Sequence, residues 1–216
     1  TQFSQTQLSQ DFRMVAQTIQ ARQALGMCRQ TFFVSMGGWD HHDEVLVNQE
    51  NMLPSVSAAL SEFNTARIEL GVQNDVATFT SSDFGRTLTS NGRGSDHAWG
   101  GTHMIMGGAV QGGDMYGQYP SLYSGNSLDT GRGRLIPTTS VDEYFAELAL
   151  WFGVPRQDLE LVLPNIRRFY DPASPSTPLG LVSSTGQPIG SGYPRGGSTP
   201  AASSGSNRAG TRRRGR

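Results

Sequence analysis

A near-continuous apolar run, Thr31-Phe32-Phe33-Val34-Ser35-Met36, stops at Gly37-Gly38 and passes at once into Trp39-Asp40-His41-His42. Such a run suits a strand buried on both faces of a parallel sheet, with a polar loop at its carboxyl end. Residues 44–70 follow, with Leu53, Val56, Leu60 and Phe63 at helical spacing. They predict a long helix in which Pro54 is tolerated only near the start or at a kink. A second strand is predicted over residues 76–81, ending in Ser82-Asp83-Phe84-Gly85. Strand, helix and strand make a βαβ unit, so the chain is expected to be an α/β protein with its functional loops at the strand ends.

The flanks extend this pattern. Leu8, Phe12, Val15, Ala16 and Ile19 predict an amphipathic helix over residues 6–25, with Gly26 as its stop. Residues 86–103 read as a Gly-rich loop, and His103-Met104-Ile105-Met106 as a further strand broken by paired glycines. Tyr144, Phe145, Leu148, Ala149, Trp151 and Phe152 predict a helix from Val141 to Phe152, ended by Gly153 and Pro155. Compact structure is expected to end near Tyr170, giving one domain over residues 1–172. Residues 173–216 carry almost no large apolar side chain and are predicted to be a disordered Pro/Ser/Gly/Arg-rich tail.

The formal net charge of -1 and the pI near 6.4 give no overall reason to expect nucleic acid or a membrane surface as partner. All 17 basic residues are arginine, and six of them lie from Arg195 onward, so the body is acidic. The terminal arginines could meet an anionic surface or form a solvated tail. Cys28 is the only cysteine, which excludes an intrachain disulfide and a CxxC metal site. No apolar run approaches the roughly 18 residues of a membrane span. The chain opens on Thr1 and enters its first helix within a few residues, so an upstream segment is expected, and any export signal would lie there.

Chemistry concentrates between residues 40 and 103. All four histidines, His41, His42, His97 and His103, fall there, in predicted loops beside glycine or acidic residues. In an extended segment alternate residues share a face, so Asp40 and His42 can converge while His41 turns elsewhere. A carboxylate with an imidazole suits zinc, manganese or a similar divalent ion; a plain polar loop is the alternative. Asp83 ends the next strand. If the two strands are neighbours, Asp40 and Asp83 approach, and a cation between them would relieve their repulsion. Asp96-His97 lies in the glycine loop. Arg86 could hold an anionic substrate bidentately or pair with these acids as support. Trp39 and Trp99 could wall the pocket or pack in the core.

The ordered motifs Gly38-Trp39-Asp40-x-His42, Ser82-Asp83-Phe84-Gly85-Arg86-Thr87 and Asn91-Gly92-x-Gly94-x-Asp96-His97-x-Trp99-Gly100-Gly101-x-His103 closely resemble the DUF1501 family. So do Gly107-Gly108-x-Val110-x-Gly112-Gly113, Tyr116-Gly117-x-Tyr119-Pro120, Leu135-Ile136-Pro137-Thr138-Thr139-Ser140-Val141-Asp142-x-Tyr144, Trp151-Phe152-Gly153-Val154 and Leu163-Pro164-Asn165-Ile166. The resemblance spans roughly residues 8–170. It implies the alkaline phosphatase and sulfatase superfamily: a three-layer sandwich on a mostly parallel sheet, of which this chain would be the C-terminal half. It also implies export with a twin-arginine signal to the periplasm or beyond, in a family without a well-established activity.

By the same resemblance, Asp40, His42 and His97 are similar to one metal's ligands, and Asp83 to the acid of a second. Phe84 departs from the superfamily pattern, which would place histidine there. Asp96 or His103 could substitute as ligands, or the site could hold a single ion. The nucleophile would come from the missing N-terminal half of the domain, a partner this chain would need. The implied activity is metal-dependent cleavage of small anionic phosphate or sulfate esters. The alternative is an exported binding or assembly protein that keeps the fold without turnover.

Overall fold

The computed structural model describes residues 1–123 and 125–183. Helix α1 spans Gln7–Gln20 and opens on Thr6, whose hydroxyl accepts from the Ser9 N–H at 3.3 Å. Its buried stripe of Phe12, Val15, Ala16 and Ile19 follows the helical repeat. The helix stops at Gln20, earlier than its periodicity predicts. Residues 21–27 continue as hydrogen-bonded turns, with Gly26 in the left-handed region at φ 64°.

Helix α2 spans Val45–Glu69 and lies against α1. The Phe12 and Phe63 rings meet with centroids 4.9 Å apart, and Ala59, Ala66 and Val72 complete this core. All the buried positions of α2 fall in its second half, and Leu46, Val47 and Leu53 are exposed. Pro54 stands inside the helix rather than at its start, so the Glu50 carbonyl lacks its usual helical donor. Arg67, 2% exposed, holds the end of α2 to the following chain by donating to the Val76 carbonyl at 2.7 Å and to Asn64 Oδ1 at 2.5 Å.

The fold is mixed α/β, but its sheets are small and antiparallel. Strand β1 (Thr78–Phe79) pairs with β4 (Ile105–Met106), and β2 (Gly85–Ser90) pairs with β3 (Ser95–Ala98) as a hairpin. The expected mostly parallel sandwich is not formed among the described residues. Residues 31–36 form no strand and enter no hydrogen bond with other described residues, and Phe33 is 92% exposed. The second predicted strand shrinks to β1, whose partner is β4 and not residues 31–36. An antiparallel pair closes through the short β2–β3 excursion, whereas a parallel one needs neighbouring strands brought together by a crossover. The predicted Gly-rich loop contains the β2–β3 hairpin for the same local reason: Asn91 Oδ1 accepts from the Arg93 and Gly94 N–H groups at 3.2 and 2.8 Å, and Gly92 takes φ 104°.

Helix α3, Val141–Phe152, has the predicted bounds because both ends are written locally. Ser140 and Glu143 form a capping box, and Gly153 closes the helix at φ 100°. Ala146 packs with Leu159, from the short helix α4 (Leu159–Val162), and with Ile166 in a second core. Residues 173–183, assigned to the tail by composition, lie against the body instead. Leu181 and Val182 are buried with Ala109, and Val182 bridges Val110. Two charged side chains hold this segment. The Arg156 guanidinium donates to the Ser174, Pro175 and Ser176 carbonyls at 2.6, 3.1 and 3.0 Å. The Glu147 carboxylate, 1% exposed, accepts from the Leu179, Gly180 and Val182 N–H groups at 3.1, 3.3 and 3.3 Å. The rest of the predicted tail, residues 184–216, lies outside the described residues. Among the described residues no helix is long and apolar enough to cross a membrane.

Candidate metal centre

The loop after residues 31–38 folds tightly: His41 N–H donates to the Trp39 carbonyl at 2.9 Å and His42 N–H to the Asp40 carbonyl at 3.2 Å. Asp40 and His42 converge as predicted, while His41 turns away and is 6% exposed. The β2–β3 hairpin docks on this loop. Asn91 Nδ2 donates to the His42 carbonyl at 2.8 Å, and a Cβ on Gly94 would stand 2.7 Å from the same carbonyl. Glycine at 94 therefore permits a close approach that a side chain would block.

Register then delivers the remaining groups. Arg86 and His97 are directly opposite across the hairpin, so their side chains share a face. His97 Nε2 lies 2.6 Å from Asp40 Oδ1, and His42 Nε2 lies 3.0 Å from the same oxygen. One ligand atom from each of Asp40, His42 and His97 falls within 4.8 Å of the others, and all three residues are exposed. A carboxylate oxygen with two imidazole nitrogens, open on one side, is a donor set that suits zinc or manganese. Phe84 stacks face to face on His97 at 3.9 Å with the planes 10° apart. The Phe84 ring thus orients a histidine.

Asp40 has its pKa lowered, first by the hydrogen bond with His97 and further by His42 and Arg86 nearby. Asp96 is lowered chiefly by its hydrogen bond with Arg132 and then by Asn91. Arg86 donates to the Ser95 and Trp39 carbonyls, both at 2.6 Å, and its guanidinium lies over the Phe84 ring and 3.6 Å from Asp40. These contacts are those of the supporting alternative for Arg86.

Three predicted participants stand apart from the group of three. Asp83 is exposed in the turn before β2 and is not one of its members; its expected approach to Asp40 depended on the strand pairing that does not form. His103 packs parallel to the Tyr144 ring at 6.1 Å. It keeps much of its surface in solvent, yet the desolvation it does suffer lowers its pKa. Asp96 lies on the far side of His42, 3.4 Å from Nδ1. Trp99 is exposed, and Trp39 meets His41 edge-on. Sequence reasoning missed Arg132, which pairs with Asp96 at 2.6 Å. Its one signal was an arginine set between Gly131 and Gly133.

Fold and cluster together define a mixed α/β protein with an open aspartate and histidine centre. The family model described as a protein of unknown function, DUF1501, matches residues 2–131, more than half of the chain, and the chain belongs to that family. The motifs from Leu135 onward lie beyond the matched range. No curated protein and no solved structure matches the chain.

Proposed function

We propose that Asp40, His42 and His97 hold a divalent cation, zinc or manganese, and that the protein is a metal-dependent hydrolase of small phosphate or sulfate esters. The observation that carries the reading is the meeting of three ligand atoms from two separate segments within 4.8 Å, on an open face. When bound, the ion would act as a Lewis acid on developing negative charge. The chain's own part is to orient the donors: Phe84 supports the His97 ring, and Arg86 ties the Asp40 loop to β3. One ion is what this group supports; a second would need Asp83.

The finer fold belongs to the same proposal. An alkaline-phosphatase-like parallel sandwich, export to the periplasm or beyond, and an N-terminal half that supplies the nucleophile rest on the resemblance of the motifs. The exposure of Phe32 and Phe33 fits an apolar run that pairs with strands outside this segment. Elemental mass spectrometry of the purified protein should find close to one zinc or manganese per chain, lost in an Asp40→Ala, His97→Ala double variant. Ester cleavage by the full-length natural protein should vanish with Asp40→Asn; cleavage indifferent to that change would sink the reading.

A second reading, a non-catalytic exported binding or assembly protein, is favoured by one observation. Both terminal guanidinium nitrogens of Arg86 already donate to carbonyls, which leaves that residue poorly placed to receive an anion. It predicts a metal that does not exchange, unfolding sensitive to chelator, and no turnover.

A further inference from the structure

We propose that Arg132 is the positioning residue of this metal centre: it clamps Asp96, and Asp96 fixes the His42 ring so that Nε2 is presented to the ion. The inference rests on the metal reading above, and it makes Asp96 an orienting group and not the substitute ligand that the motifs allowed.

The two nitrogens of an imidazole point to opposite sides of the ring. His42 turns Nε2 toward Asp40 Oδ1 at 3.0 Å and Nδ1 toward Asp96 Oδ1 at 3.4 Å. Asp96 therefore stands on the side away from the ion position. Its oxygens are also occupied: Oδ2 takes the Arg132 guanidinium at 2.6 Å, and Oδ1 takes Asn91 Nδ2 at 3.2 Å. A ligating histidine commonly donates its second ring N–H to a carboxylate, which sets the tautomer and raises the basicity of the ligating nitrogen. Arg132, Asp96 and His42 have the order that this arrangement needs.

Arg132 is placed by a built turn. Gly131, Arg132 and Gly133 all have positive φ, at 103°, 63° and 69°, and arginine is an uncommon residue for that region. Asp129 Oδ1 holds the turn by accepting from the Gly131 and Gly133 N–H groups at 2.8 and 3.0 Å. The turn is sewn to β2, where Leu88 and Thr89 N–H groups donate to the Gly133 and Arg132 carbonyls, each at 3.2 Å. A Cβ at 133 would meet Leu88 Cβ at 2.5 Å, so the seam closes only over glycine. Glycine at 132 would relax the backbone; arginine there is explained by what its side chain reaches.

The test is zinc affinity of the 216-residue chain, measured by competition with a chromophoric chelator at fixed pH. Arg132→Gly removes the guanidinium while relieving the backbone, so it should fold at least as well as the parent. It should nonetheless bind zinc about 10–100-fold more weakly, the range for loss of an outer partner of a ligand. Asp96→Asn should fall by a similar factor, and Arg132→Lys should recover part of the loss. Zinc affinity unchanged or tightened in Arg132→Gly, with Asp96→Asn alone impaired, would mean that Asp96 is itself a ligand and would overturn the proposal. A metal-free readout separates this from failure of the metal reading: nitrogen-15 spectra of the histidine rings should show His42 Nδ1 moved by both substitutions, with His41 unmoved. If the parent binds no zinc, the metal reading falls and this spectrum still decides; a His42 signal indifferent to both changes would remove the positioning role.

Discussion

Tyr144 and His103 stack on one another and carry opposite pH signatures. Burial pushes the Tyr144 phenol up to about 12, and desolvation pulls the His103 imidazole below its usual 6.5. Both shifts favour the neutral form in the folded state. For Tyr144, the stabilisation is complete below the ordinary value of 10.0 and drains away as pH rises from there toward about 12. For His103, it is complete above 6.5 and is lost as pH falls below that value. Thermal melts across pH should show both slopes, with Tyr144→Phe flattening the alkaline one and His103→Gln the acid one. At Phe84, replacing the ring by alanine removes a stacked partner of His97, a loss of roughly 0.5–1.5 kcal/mol in melting experiments. If the proposed metal reading holds, it should also weaken zinc binding, since the ring that holds His97 is gone.

At the level of elements, the hairpin and the C-terminal segment can each be tested at one residue. Gly94→Ala would put a methyl group 2.7 Å from the His42 carbonyl and push β2–β3 off the loop. On the proposed metal reading, zinc affinity should then fall although none of Asp40, His42 and His97 has been touched, which calorimetry can check. Glu147 offers another test. Glu147→Ala leaves three inward N–H groups without their carboxylate, and charged hydrogen bonds contribute roughly 1.5–3 kcal/mol. Proteolysis should then cut within residues 173–183 much faster than in the parent. Elements also differ in how far the sequence declares them. Helices α1 and α3 were legible because their periodicity and caps are local, as in the Ser140 and Glu143 box. Asp40, His42 and His97 were legible as polar groups crowded into glycine loops. The partner of β1 was not, because an apolar run announces burial without naming the strand it joins. Arg132 was hidden for a related reason, since its role exists only once its turn is sewn to β2. Residues 173–183 misled by composition: Arg156 and Glu147 supply the polar anchoring that a count of apolar residues overlooks.

At the scale of the whole molecule, the described residues form three modest cores and a generous apolar exterior. Phe33, Leu46, Val47 and Leu53 remain in solvent near its N-terminal side of the sequence, a composition of surface that favours association. The apparent mass of the purified chain by light scattering should rise with concentration, and Phe33→Asp should lower it toward that of the monomer while changing stability by no more than about 0.5 kcal/mol, as for a surface position. The fastening of residues 173–183 also has a mechanical meaning. A pull applied at Ser183 first peels its attachment to Ala109 and the bridge between Val182 and Val110. Tension then gathers on the single carboxylate of Glu147, which grips residues 179, 180 and 182 together and passes the force into α3. The strap should yield in one step when that grip fails, and the load would next fall on Arg156.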